Sequence, residues 1–237
     1  MRFGIVASPY EAAMPQRTIA IGDIHGCAEA LHALLEIVDP TTDDRIVTLG
    51  DYVDRGPNTR EVIDQVLDLK KRCQLIPLTG NHELMMLDAH SSANVTKFDF
   101  WLHCGGEETM ASYGGITASI PDDHFEFLKS CQRHYEIDSH FFVHANYLYH
   151  LPLDQQPDDV LFWQHLNDVP LPHVCGKIAI LGHTPQLTGE ILDLGHVVCI
   201  DTFCFGSGWL TAYDVLSGDF WQVDKLGNVR LDAQWKT

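Results

Sequence analysis

Six polar side chains stand just past short apolar runs. Asp23 and His25 follow TIAI at 18–21, and Asp51 follows IVTL at 46–49. Asn81 follows LIPL at 75–78, His144 follows FFV at 141–143, and His183 follows IAIL at 178–181. Carboxylate, amide oxygen and imidazole without a thiolate suit divalent cations such as Mn2+, with Fe, Zn2+ and Ni2+ as further choices. In extended chain, side chains two residues apart point the same way, so Asp23 and His25 can reach one cation. Asp51 can give one oxygen to each of two cations and hold them ~3.5–4 Å apart. Asn81 adds an oxygen without charge, and His144 and His183 complete the second site. Two cations so placed acidify a water and take up charge on phosphoryl oxygens, the chemistry of phosphate hydrolysis.

Each fragment alone is weak. An Asp-x-His pair is usually a turn, Asn-His-Glu a helix cap, and Gly-His-Thr-Pro a turn. Their recurrence at five successive strand ends carries the metal reading, because acids rarely crowd buried strand ends without a partner.

The elements that must position these residues are legible in outline. AEALHALLEIV at 28–38 places Leu31, Leu34, Leu35 and Val38 on one helical stripe. A second helix follows GDYVDRG, capped by Asn58 or Thr59, with Val62, Ile63, Val66 and Leu67 facing the core. A third begins after GNHE. Three strand-loop-helix cycles predict an α/β fold with a largely parallel sheet, whose ligands gather beyond the carboxyl ends of the strands. Residues 90–135 read as a helical insertion broken at Gly105-Gly106. Later apolar runs predict a second sheet, and LTAYDVLSGDFWQV predicts a hairpin turning near Ser217-Gly218.

The chain has 237 residues, 45% of them hydrophobic, which suits one domain over 18–237 after a weakly patterned segment at 1–17. A formal charge of -18 with only 15 Lys and Arg repels nucleic acid and anionic membranes. No window has the ~18 apolar residues of a membrane span. Seven scattered cysteines read as reduced thiols of a cytoplasmic protein. Oligomeric state is not legible.

GDIHG at 22–26, GDYVDRG at 50–56, GNHE at 80–83, His144 and GHT at 182–184 closely resemble the metallophosphoesterases, and more narrowly the bacterial branch of the serine/threonine phosphoprotein phosphatases. WLHCGGEETMASYGG at 101–115 resembles a segment of the same branch. The resemblance implies a calcineurin-like fold, two mixed β-sheets packed face to face and flanked by helices. It implies Asp23, His25 and Asp51 on the first cation, and Asp51, Asn81, His144 and His183 on the second. It also places His82 at the leaving group, Asp54 as its orienter and Arg55 on phosphate. A hydroxide shared by the cations would attack phosphorus in line, and His82 would protonate the leaving oxygen.

The chain departs from that pattern in three places. Ala145-Asn146 follows His144 where glycine is usual. Phe203 follows Asp201-Thr202 where the family has glycine. The second phosphate-holding arginine is missing, since none occurs between Arg133 and Arg230; His165, after Trp163, is the candidate substitute. The expected activity is protein serine/threonine phosphatase, acting on phosphorylated proteins or peptides and on small phosphate esters. The alternatives are hydrolysis of dinucleoside polyphosphates such as diadenosine tetraphosphate, and a non-catalytic module that binds phosphoproteins.

Overall fold

The computed structural model describes residues 16–92, 94–115 and 120–231. Most of the segment at 1–17 therefore lies outside the described residues. Strand β1 (Arg17–Ile21), helix α1 (Ala28–Val38), β2 (Asp44–Thr48), α2 (Thr59–Leu69), β3 (Gln74–Pro77) and α3 (Asn81–Ser91) form the three expected cycles. β1, β2 and β3 pair in parallel in adjacent positions. The hairpin of β9 (Leu210–Asp214) and β10 (Phe220–Val223) joins the free edge of β1 antiparallel, giving the order β10-β9-β1-β2-β3. Ser217 and Gly218 lie in its turn, where Gly218 takes φ 82°.

Between β3 and the second sheet run α4 (Val95–Trp101), a wide turn over Leu102–Gly106, α5 (Glu107–Ser112) and α6 (Asp122–Ser130). The second sheet contains β4 (His134–Glu136), β5 (His140–Val143), β6 (Ile178–Leu181), β7 (Leu192–Asp193) and β8 (Val197–Cys199), in the order β4-β5-β6-β8-β7. Its three inner strands are parallel and its two outer ones antiparallel. Helix α7 (Asp158–Trp163) covers its outer face, packing Leu161 and Phe162 there.

Alternation along the strands assigns each side chain to a layer. Ile19, Ile21 and Ile46 meet the stripes of α1 and α2, while Ala20 and Val47 face the other sheet. Phe142, Ile180 and Val198 meet them there, and Phe141, Val143, Ala179 and Leu181 face outward. The hydrophobic core thus lies in three layers, with two sheets face to face in the middle.

Two details differ from the periodicity. In α2 the fully buried stripe is Val62, Ile63, Val66 and Leu69, and Leu67 is only partly buried. Asn58 occupies the N-cap position of α2 without a capping hydrogen bond from its side chain. Its backbone N–H goes instead to Gly26, tying α2 to the first loop.

Candidate metal centre

The loops after β1, β2, β3, β5 and β6 bring the six expected ligands together. The loops after β1 and β2 are laced together: the N–H groups of Ile24 and His25 both donate to the carbonyl of Asp51, and Gly26 donates to Tyr52. Seven described non-glycine residues have positive φ, and His25, Asp51, Asp54, Arg55 and His183 are five of them. Backbone strain of this kind gathers where surrounding structure forces it, most often at functional sites.

Asp51 lies at the centre. Its Oδ2 is 3.4 Å from His25 Nε2, and its Oδ1 is 3.5 Å from His144 Nε2. On the second side, Asn81 Oδ1 stands 3.0 Å from His144 Nε2 and 3.1 Å from His183 Nδ1. The ring orientations explain what these atoms carry. His25 Nδ1–H donates to Val53 O at 2.9 Å, and His144 Nδ1–H to Leu49 O at 2.8 Å. His183 Nε2–H donates to Trp163 O at 3.2 Å. The inward nitrogens therefore carry lone pairs, pinned by backbone carbonyls as metal-binding imidazoles usually are, and that of His25 accepts from Arg55 Nη1. Lone pairs of Asn81, His144 and His183 face one another without a proton between them, an arrangement that a cation resolves. The donor set thus fits two divalent ions. His25, Asp51 and His82 form one candidate group, and Asp51, His144 and His183 the other.

Electrostatics point the same way. Burial lowers the pKa of His25 and His144, keeping both neutral as ligands must be. Burial, helped by His144, pushes His183 down to about 3. Burial opposes charge on Asp51, yet the surrounding imidazoles, His144 first, hold its carboxyl far below the usual range. Asp23 is pushed well above it, by burial and then by the charges of Asp201 and Asp51.

Asp23 sits differently from the other expected ligands. It is buried beside them, but its carboxylate accepts the backbone N–H of His183, at 3.0 Å to Oδ2. It belongs to neither three-residue group; His82 stands in the first one instead. His82 and Asp54 form a dyad, with His82 Nδ1–H donating to Asp54 Oδ2 at 2.7 Å. Burial alone would lower the pKa of His82; the Asp51 and Asp54 carboxylates outweigh it and raise it. Arg55 is exposed, with Nη1 2.9 Å from His25 Nε2 and its guanidinium 4.6 Å above the Phe205 ring. His165 is exposed and stacks on His183 with ring centroids 4.4 Å apart.

Residue types and spacing left several supporting groups without a role. Glu83, the last residue of GNHE, is fully buried and accepts four backbone N–H groups. Gly80 and Asp51 donate to Oε2 at 2.8 Å; Tyr52 at 2.8 Å and Val53 at 3.3 Å donate to Oε1. It holds the loop after β2 against the start of α3. Segment 101–115 reaches Asp54: Trp101 Nε1 donates to its oxygens at 3.0 Å, and Thr109 Oγ1 to Oδ1 at 2.8 Å. Phe205 touches both His25 and Arg55. The motif strings contained Glu83, Trp101 and Thr109 but gave no contact for them. Phe205 had no signal at all.

Known proteins resemble this chain in sequence and fold. A serine/threonine-protein phosphatase 1 of Salmonella typhimurium is 38% identical over 212 residues, 81% of this chain and 88% of that protein. A symmetrical bis(5'-nucleosyl)-tetraphosphatase of Coxiella burnetii is 40% identical over 74 residues, so the matched stretch spans only 24% of that relative and 31% of this chain. Among solved structures, a candidate diadenosine tetraphosphatase superposes with TM-score 0.67 at 21% identity, covering 89% of this chain and 94% of that one. A cold-active protein-tyrosine phosphatase of a psychrophilic Shewanella gives TM-score 0.66 at 17% identity, covering 90% and 79%. At such identities these likenesses are of fold. The family model for calcineurin-like phosphoesterases matches residues 16–219. With that match, and with two cation-ready groups at the strand ends, the chain belongs to the calcineurin-like phosphoesterases.

Proposed function

We propose that this chain hydrolyses dinucleoside polyphosphates, using His25, Asp51, Asn81, His144 and His183, with Asp23 alongside, to hold two divalent cations, Mn2+ first among them. The observation that carries the substrate choice is the single guanidinium. Among the described residues, Arg55 is the arginine that touches the cluster. A terminal phosphomonoester presents a dianion to such a site, whereas an internal phosphoryl group of a polyphosphate bridge carries one charge and needs less cationic clamping. A groove of about 600 Å³ is lined in part by Leu84, on the same helix as Asn81, by Met85 and Phe100, and by Trp163, whose carbonyl accepts from His183. It has room for a nucleoside. The tetraphosphatase relatives support the same choice.

When bound, the cations supply Lewis acidity to the phosphoryl oxygens and acidify water. The chain's own residues do the rest. Arg55 donates paired hydrogen bonds to phosphoryl oxygens, and Phe205 stacked against it limits its rotamers. His82 holds a proton on Nε2 for the leaving oxygen, while Asp54 fixes its tautomer through Nδ1. Trp101 and Thr109 hold Asp54 in turn. His165 would stand in for the second phosphate-holding arginine, and its stacking on His183 supports that reading.

The Salmonella phosphatase, matched over most of its length, favours a second reading as a protein serine/threonine phosphatase. A substrate panel on protein of measured metal content separates the two. Diadenosine tetraphosphate is expected to exceed a phosphothreonine peptide and nitrophenyl phosphate by about tenfold or more in kcat/KM. Dominance of the phosphopeptide establishes the second reading. No turnover with Mn2+, Ni2+, Fe2+ or Zn2+ makes the protein a binding module.

A further inference from the structure

Strand β8 ends at Cys199, and Ile200 leads into Asp201, a residue that no step above uses. Asp201 is only 2% exposed. Its Oδ1 accepts the N–H of Phe203 at 3.1 Å, and its Oδ2 has no hydrogen-bond partner. Its carboxyl is near enough to Asp23, Asp51 and Arg55 for their charges to act on it. The backbone enforces this proximity: a Cβ on Gly22 would stand 2.5 Å from Ile200 O, so only glycine lets the ends of β1 and β8 approach so closely.

A buried carboxylate oxygen with no donor among other buried carboxylates is costly unless a cation or a proton meets it. Among the described residues, no lysine or arginine side chain hydrogen-bonds to Asp201 or Asp23. Each group has the one carboxylate of Asp51, and the second also has the neutral oxygen of Asn81. We propose that Asp201 belongs to the first cation's site, its Oδ2 supplying a third carboxylate oxygen alongside Asp23 and Asp51. Asp201 stands just past an apolar strand, as the six expected ligands do.

This assignment rests on the two-cation reading, and the experiment separates the two. Chelator-stripped protein is titrated with Mn2+ by calorimetry, and its melting temperature is followed with and without the ion. Wild type is expected to bind two ions per chain. Asp201→Asn, which keeps the shape and the acceptor for Phe203, is expected to weaken one site by roughly ten- to a hundredfold. The other site keeps its affinity. The stripped variant is expected to melt no lower than stripped wild type, because a charge beside Asp23 is gone. If Asp201→Asn fails to fold, Asp201→Glu replaces it, again with one weakened site expected. Two sites of wild-type affinity in the variant overturn the assignment and leave the two-cation centre standing. Fewer than two ions in wild type overturn the centre itself.

Discussion

At the scale of single residues, the site separates binding from proton transfer. Asp51 faces both candidate groups, so its charge is shared, whereas His82 presents one nitrogen inward and gives the other to Asp54. Asp51→Asn is therefore expected to lose both cations, measured as metal per chain after desalting. His82→Ala is expected to keep both and to lose ~10²–10⁴-fold in kcat, the usual worth of a general acid. A His82→Ala enzyme of full rate, or one without metal, would refute the role given to His82. The motifs alone disclosed Asp51, His82 and their neighbours, because their residue types are chemically distinctive. They could not disclose Phe205 against Arg55, since a phenylalanine in a loop looks the same whether it packs in the core or on a guanidinium.

At the scale of elements, two short pieces of chain set the geometry. Glu83 gathers four N–H groups from the loop after β2 and the start of α3. Glu83→Gln would turn an NH2 group toward two of those donors. The expected cost is about 2–4 kcal/mol in urea unfolding, with weaker cation binding because Asp51 is no longer held at its positive φ. The wide turn over Leu102–Gly106 controls Arg55. Gly105 O accepts the Arg55 N–H at 3.0 Å, and a Cβ on Gly105 would stand 2.7 Å from Arg55 N. Gly105 also takes φ 110°. Gly105→Ala should destabilise by about 1 kcal/mol or more and raise KM with both cations retained. Unchanged KM would detach the turn from phosphate binding. The glycine break was legible in the sequence; its contact with a loop some fifty positions earlier was not.

At the scale of the whole molecule, stability depends on charges both near the site and far from it. Arg17 makes a two-point pair with Asp44 across the starts of β1 and β2, with Nε 2.9 Å from Oδ1 and Nη2 2.6 Å from Oδ2. That hydrogen bonding holds the Asp44 carboxyl down at about 2. Its folded value lies below the unfolded one, so its contribution is present above about pH 4 and is lost as the pH falls toward 2. Asp44→Asn should lower stability at neutral pH and flatten the loss over that window, read from urea midpoints. A variant that keeps the wild-type slope would remove Asp44 as its source. Cations act at the centre: at about 100 times their dissociation constant they add about 2.7 kcal/mol. A chelator should therefore lower the melting temperature of wild type and leave that of Asp51→Asn unmoved.

The sequence by itself determined the first three strand–helix cycles, the main strands of the second sheet, the closing hairpin and the six polar strand ends, because periodicity and residue type are local properties; the short β4, α7 and β7 were not legible in it. Only the tertiary structure decided that Asp51 faces both groups, that Asp23 leans toward Asp201 and His183, and that Trp101 and Thr109 hold Asp54. Those relations join residues tens of positions apart, and they follow from how two twisted sheets pack, which no local pattern encodes.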